Sequence, residues 1–336
     1  MKAQTSRLKL VLASLVACLW LPAAVPLARQ DKGEEIADPD RPRVVVPLSA
    51  SDKEGRPVEG LKPEDLRVTV EGVPQQLLYF SRQTDEPLHV VILLDASASQ
   101  ERVLPFVQGA ADRLVPALLA RGSANDAAVV SFTGDVKVVQ GLTADAEAVR
   151  RAVASVEVVV PPGYAGGGVV VSTRPPNPND PAMRAASTAI WDALVTACDE
   201  VFARAKPGRR VAVLVTDGVD TSSRVKSDEA IERLLRGGVA VYSVGVGDTR
   251  SFDGVDESFL RKVSERTGGR ALFPKKNGDL TDAFEQVGRE LFGSYELAFA
   301  PTPRPRDKAL KLRVELVNQG LRKQGVRLAY PQALLR

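Results

Sequence analysis

Apolar and polar positions follow two different grammars along this chain. Near the start, RVVVPLSASD, LRVTVEG and QQLLYFS are short strand-like runs split by KEGRPVEG and EGVPQ turns. Short apolar runs broken by Gly and Pro predict short strands, here a small antiparallel β-unit over residues 43–85.

The pattern then changes. HVVILLD (89–95) is apolar without a break, as in a strand covered on both faces. QERVLPFVQGAADRLVPALLA follows as an amphipathic helix, DAAVVSFTG as a second buried strand and VKVVQG as an edge strand. TADAEAVRRAVASV predicts a helix with Thr143 as its N-cap. After a Gly/Pro-rich interruption, STAIWDALVTACDEVFARA is helix again and RRVAVLVTDG a third core strand. SDEAIERLLRGG reads as a helix capped by Ser227 and ended by Gly237. The strand VAVYSVGVGD, the helix DESFLRKVSERTGG, the short strand RALFP and the helix DLTDAFEQVGRELFG complete the series. Strands alternating with helices predict an α/β domain over residues 86–293, built on a doubly wound, mostly parallel sheet.

Residues 294–336 return to the first grammar. Leu310, Leu312, Val314 and Leu316 share one face; Lys311, Arg313 and Glu315 share the other. These C-terminal strands are expected to pack with the unit formed by residues 43–85, so that the α/β domain is inserted between two parts of one flanking β-unit. Nine basic and two acidic residues follow Pro303, a local excess read as a solvated strand face.

The first 28 residues carry a basic start, an apolar run and then small residues, the pattern of an export signal peptide. Residues 29–42 are polar and Pro-containing, as in a linker. The protein is therefore expected outside the cytoplasm: periplasmic, extracellular or held at the cell envelope. LVAC (15–18) is similar to a bacterial lipobox, which would make Cys18 a lipid anchor and the only route to a membrane. The 336 residues hold 45 basic and 42 acidic side chains; without Lys2, Arg7 and Lys9 the two signs balance at 42. A balanced chain has no broad field for phosphate, so no nucleic-acid partner is expected. The other cysteine, Cys198, lies in a helical stretch and is read as a small core residue. The single histidine, His89, begins a buried strand, which excludes histidine-dependent triads and multi-histidine zinc sites.

Candidate chemistry sits where core strands end. HVVILLD closes on Asp95, within DASAS (95–99), and VAVLVTD closes on Asp217. In a doubly wound sheet ligands bind outside the carboxyl ends of the strands. Two aspartates at neighbouring strand ends repel unless a cation or well-placed donors lie between them. Ser97 and Ser99 add neutral oxygens, and an all-oxygen set with few charges suits Mg²⁺, with Mn²⁺ or Ca²⁺ as substitutes.

DASAS resembles the D-x-S-x-S signature of the von Willebrand factor type A domain, which holds the metal-ion-dependent adhesion site, and LVTDGVD resembles that family's later T-D-G strand end. The flanking segments are similar to those of bacterial secreted proteins of this group. STAIWDAL matches the context in which a family threonine completes the site, which carries that role to Thr188; Ser187 and Thr173 are the neighbouring alternatives, because Ala186-Ser187 stands where the family has Gly-Gly. The resemblance implies a Rossmann-like fold in which Ser97, Ser99 and Thr188 bind the ion through hydroxyls. Asp95 and Asp217 would hold coordinated waters, or one of them would bind directly. It also implies a function in protein–protein interaction or cell adhesion: one coordination position stays open for an Asp or Glu of a partner protein. The segment PPGYAGGGVVVSTRPPNPNDPAMRAA (161–186) is expected to shape partner choice.

Other readings compete. A metal-free scaffold explains Ser99 as a helix cap but not Asp95 together with Asp217. A metal-assisted hydrolase lacks a spare histidine and a G-x-S-x-G elbow, so no enzymatic activity is expected.

Overall fold

The computed structural model describes residues 43–83, 86–120, 124–160, 163–166, 184, 187–247, 254–275, 279–302 and 309–335. The chain first forms strands β1 (Val44–Ser51), β2 (Leu66–Val70), β3 (Val73–Gln75) and β4 (Leu77–Gln83). The α/β part follows: β5 (Leu88–Asp95), helix α1 (Leu104–Leu119), β6 (Asp126–Phe132), β7 (Val136–Thr143), α2 (Ala146–Ala154), α3 (Ile190–Thr196), β8 (Arg209–Thr216), α4 (Ser227–Arg236), β9 (Val239–Gly245), α5 (Glu257–Thr267), β10 (Ala271–Leu272) and α6 (Asp279–Leu291). The chain closes with β11 (Ser294–Phe299), β12 (Leu310–Leu316), α7 (Gln319–Lys323), β13 (Arg327–Ala329) and β14 (Ala333–Leu334).

The central sheet has six strands in the order β10-β9-β8-β5-β6-β7. All pairs are parallel except β6–β7, which is antiparallel and puts β7 at an edge. Every residue of β5 is buried, which explains its unbroken apolar run. Alternation then sorts the side chains. Val90, Ile92 and Leu94 pack with α1, α2 and α6, whereas Val91 and Leu93 pack with α3, α4 and α5. Helices thus cover both faces, as the sequence predicts. The chain begins this sheet at β5, builds β6 and β7 on one side, then crosses to β8 on the other, so the order reverses between β5 and β8.

The flanking unit is a sandwich of two four-stranded sheets, β13-β1-β11-β4 and β14-β12-β2-β3. N- and C-terminal segments interleave: β1 pairs antiparallel with β11 from Val44↔Phe299 to Ser49↔Ser294, and β2 with β12 from Leu66↔Leu316 to Val70↔Leu312. Val46, Leu48, Leu297 and Phe299 meet Val68, Val70, Leu312 and Val314 in its core. The ring of Tyr295 stacks on Phe80 at 5.2 Å while its hydroxyl reaches the Val58 carbonyl at 2.7 Å. Arg270, Glu290 and Ser51 tie the two parts together. The Arg270 guanidinium lies 2.7 Å from Glu290 on α6 and 2.8 Å from Ser51 Oγ on β1.

Several local expectations are corrected. Thr143 ends β7 instead of capping α2; Asp145 is the cap, accepting from the Glu147 and Ala148 amides at 2.9 and 3.1 Å, and Thr143 Oγ1 accepts from the Asp145 amide. Ser227 is the first residue of α4 and forms no capping bond, whereas Gly237 ends the helix as its C-cap, followed by the left-handed Gly238 (φ 62°). The helix read through STAIWDALVTACDEVFARA is regular only to Thr196, then widens to a π-turn over Ala197–Val201 and tightens to 3₁₀ at Phe202–Arg204. Helix α1 starts at Leu104, with Gln100 in a separate 3₁₀ turn (Ala98–Gln100). The short helix α7 has no counterpart in the sequence reading. Most of the segment 161–186, Thr173 included, lies outside the described residues, as do the signal, linker and Cys18.

Candidate metal centre

Asp95 is the last residue of β5 and Asp217 the first residue after β8, so both stand at the carboxyl end of the sheet where the strand order reverses. Both are buried. Four of the five residues singled out in the sequence are linked by direct contacts. The Ser97 amide donates to Asp95 Oδ1 at 2.9 Å, Ser97 Oγ lies 3.1 Å from Ser99 Oγ, and Ser99 Oγ donates to Asp217 Oδ2 at 2.7 Å. The i, i+2, i+4 spacing of DASAS is what makes this possible. One turn of 3₁₀ helix after the strand gathers the oxygens of Asp95, Ser97 and Ser99.

Thr188 is buried at the same end of the sheet. Its amide donates to Thr221 Oγ1 at 2.8 Å, and its carbonyl accepts from the Thr221 and Ser222 amides. Ser187 turns away and donates its hydroxyl to the Arg184 carbonyl at 2.8 Å, which leaves Thr188 the better of the two described alternatives. The Thr188 segment and the loop after Asp217 are clasped to each other. Asp220 accepts from the Ile190 amide at 2.8 Å and from Ser223 Oγ at 2.5 Å, Ser223 Oγ accepts from the Trp191 amide, and Asp192 accepts from the Arg224 and Val225 amides. Asp192 and Asp220 therefore spend their carboxylates on joining the start of α3 to this loop.

Two further residues complete the cluster and escaped the sequence reading. Thr216 Oγ1 donates to Asp95 Oδ2 at 2.5 Å. Gln100, fully enclosed, donates from Nε2 to Asp217 Oδ2 at 3.1 Å and reaches the Val246 carbonyl. A fully buried threonine closing VAVLVT and a fully buried glutamine after the serines are polar residues in apolar settings. That was the available signal.

Electrostatically Asp95 is the weak point of the centre's balance, since its described partners are neutral. Asp95 forms no ion pair among the described residues; its partners are an amide and a hydroxyl. Burial, and then the charge of Asp217, push its pKa up to about 7. Two carboxylates with serine and threonine hydroxyls form an all-oxygen donor set of the kind that suits a hard divalent ion. Among the described residues no group of three or more His, Cys, Asp or Glu is placed to hold a metal, so a soft or histidine-rich site is not formed there. His89, buried, meets Asp126 at 2.7 Å through Nδ1 at the opposite end of β5. Burial, with Asp199 beside it, holds the Cys198 thiol up near 11, in keeping with a packing role.

Residues 180–286 match the von Willebrand factor type A domain family. Over that stretch the chain is similar to a von Willebrand factor type A domain. The matched stretch holds Thr188 and Asp217, whereas DASAS precedes it. Among solved structures, the chain is similar to proximal thread matrix protein 1 from the mussel byssus in a form with a zinc-occupied MIDAS motif (19% identity, 65% of this chain and 50% of that one, TM-score 0.47). It is also similar to a von Willebrand factor type A protein from Catenulispora acidiphila (15% identity, 87% and 73%, TM-score 0.45) and to the corresponding domain of the pilus tip protein Mfa5 from Porphyromonas gingivalis (11% identity, 62% and 96%, TM-score 0.45). The chain spans about half the length of the mussel protein. No curated protein matches it. Among the described residues no helix of the type A domain or its flanks is long and apolar enough to cross a membrane.

Proposed function

We propose that this chain is an exported protein-interaction module in which a divalent ion, Mg²⁺ in the first instance with Mn²⁺ or Ca²⁺ as substitutes, joins the type A domain to a carboxylate of a partner protein. Ser97, Ser99 and Thr188 would supply neutral hydroxyls, and Asp95 and Asp217 the negative charge. One observation carries the reading: two buried aspartates close adjacent core strands at the point of strand reversal, linked through two serines, and among the described residues Asp95 pairs with no cation. Burying a carboxylate uncompensated is costly, and a bound ion removes that cost.

When bound, the ion supplies a positive charge only partly neutralised by two carboxylates, which attracts a third from outside. The chain's own residues set the geometry. Thr216 and the Ser97 amide hold the Asp95 carboxylate, Gln100 and Ser99 hold Asp217, and the Asp220 and Ser223 clasp fixes the segment that carries Thr188. Export, and a lipid at Cys18, would place the module at the cell envelope. The test is thermal melting in chelator and after addition of Mg²⁺, Mn²⁺ or Ca²⁺, for the parent chain, Asp95→Ala and Asp217→Ala. A shift in the parent that both variants lose is expected. No shift with any ion at millimolar concentration leaves a metal-free scaffold.

A further inference from the structure

Thr188 is the one candidate ligand that does not follow the end of a core strand. Asp95, Ser97 and Ser99 continue β5 and Asp217 continues β8, whereas Thr188 stands two residues before α3. Its place must be set by contacts from elsewhere. The loop after Asp217 supplies them on one side, through Thr221 and Asp220. The turn that joins β6 to β7, residues 133–135, supplies them on the other.

This turn grips the Thr188 segment by its backbone. The Ala189 amide donates to the Thr133 carbonyl at 2.8 Å, and the Gly134 amide donates to the Arg184 carbonyl at 3.0 Å. The Arg184 guanidinium reaches back to the Gly134 carbonyl at 3.2 Å and pairs with the Asp135 carboxylate. Ser187 leans on the same Arg184 carbonyl with its amide at 3.1 Å and its hydroxyl at 2.8 Å. Both neighbours of Thr188 are thus referred to one turn. That turn is itself in register with the other ligands. Asp95 pairs with Phe132, and the Ala96 amide donates to the Phe132 carbonyl at 2.8 Å. Thr133 comes next, so the turn carries the position of the DASAS loop across to Thr188.

Gly134 sets the spacing of the grip. Its φ is not positive, so the turn conformation does not demand glycine. The contact does. A Cβ at residue 134 would stand 2.5 Å from the Arg184 carbonyl oxygen, and nearer still to Ser187 Oγ. The Ser187 hydroxyl can rotate away. The Arg184 carbonyl is backbone, and it moves only if the segment moves with it.

We propose that Gly134 is a positioning residue of the ion site: the β6–β7 turn is the template that holds Thr188 in register with the DASAS loop, and it fits only without a side chain at 134. This rests on the ion-dependent reading above. Contacts that orient a metal ligand are worth about 10- to 100-fold in metal affinity.

A double-mutant cycle on the full chain tests it, with Gly134→Ala, Thr188→Ala and the pair, read by isothermal titration with Mg²⁺. Gly134→Ala is expected to lose about 10- to 100-fold in affinity. The pair should bind no more weakly than Thr188→Ala alone, since a hydroxyl that is absent cannot be misplaced. In chelator, the Ala189 amide of Gly134→Ala should exchange its hydrogen faster than in the parent, with the β5 amides unchanged. If Gly134→Ala does not fold, Arg184→Ala replaces it in the cycle. That variant releases the Gly134 carbonyl and Asp135 without filling space, and a smaller loss is expected that again vanishes in the Thr188→Ala background. Parental affinity in the turn variant, a loss that persists undiminished in the pair, or unchanged exchange at Ala189 overturns the proposal alone. Parental affinity in Thr188→Ala removes Thr188 from the site and the template's role with it. A parent that binds no divalent ion overturns the ion reading itself.

Discussion

Thr216 Oγ1 donates to Asp95 Oδ2 at 2.5 Å across the junction of β5 and β8. Leu94 pairs with Val215 in the parallel register, so the next residues, Asp95 and Thr216, fall side by side where the two strands end. Thr216 Oγ1 also accepts from the Gly218 amide at 3.2 Å, which ties the Asp95 carboxylate to the loop that carries Asp217.

Thr216→Val keeps the shape and removes the hydroxyl. A buried carboxylate then loses a donor, and the ion-free chain is expected to lose about 1–3 kcal/mol of stability. Urea denaturation in chelator measures it. An unchanged midpoint would show that the contact carries no weight.

Ion binding itself is expected to stabilise the parent by about 2.7 kcal/mol at a free ion concentration a hundred times the dissociation constant. Differential scanning fluorimetry across an Mg²⁺ series reads this directly. Asp217→Asn, isosteric and less disruptive than alanine, should flatten the series while leaving a cooperative melt.

Ion-free stability should depend on pH through Asp95. Its folded-state pKa stands at about 7 against an ordinary 3.8, because burial and the Asp217 charge disfavour the ionised form. Between those values the native chain holds a proton that the unfolded chain lacks. The contribution of this group to stability is therefore full at low pH, falls as pH rises through the window, and is flat above it. Asp95→Asn should remove this component, so that in chelator the variant gains on the parent as pH rises from 5 to about 8. A difference between the two that stays constant with pH contradicts the assignment. Because the ion must displace that proton, Mg²⁺ affinity should rise over the same interval.

The clasp between Asp220 and the start of α3 offers a fourth handle. Asp220→Ala removes the acceptor for the Ile190 amide and for Ser223 Oγ, an end-of-helix loss of about 0.5–2 kcal/mol. Since the Thr188 segment is held through this loop, Mg²⁺ affinity should fall as well, by isothermal titration. A destabilised variant with parental affinity would separate Thr188 from the site.

Glu290→Leu should behave in the opposite way. It leaves Arg270 without its buried partner and is expected to cost about 3–5 kcal/mol, with Mg²⁺ affinity intact. Arg270 joins the sandwich to α6, far from the oxygen cluster. Loss of affinity in a folded variant would show that the two ends of the domain communicate.

The sheet was legible because its signal is redundant. Unbroken apolar runs ending in aspartate mark β5 and β8, and alternation marks β12, whose Leu312, Val314 and Leu316 are buried as their spacing requires. Caps were less legible. Thr143 and Asp145 both fit the composition of a helix start, and only the path of β7, which carries Thr143 into its last rung, selects Asp145. The break after Thr196 has no local marker, since ACDEV contains neither Gly nor Pro. Of the candidate ligands, Asp95, Ser97, Ser99 and Asp217 could be placed by strand ends alone. The supports could not, because Thr216 meets Asp95, and Gln100 meets Asp217, only across more than a hundred residues of chain.

The interleaved sandwich also sets an order of events during synthesis. β1 and β2 emerge first, yet their partners β11 and β12 emerge after the whole α/β sheet. Until then both are open edges, free to pair with other chains, while the intervening domain has every strand it needs. A nascent chain arrested after α6 would thus carry a finished Rossmann-like domain, β1 and β4 without partners, and a β2–β3 hairpin with one open edge. Closing the sandwich is the last step, and it brings the beginning and the end of the described chain into one sheet.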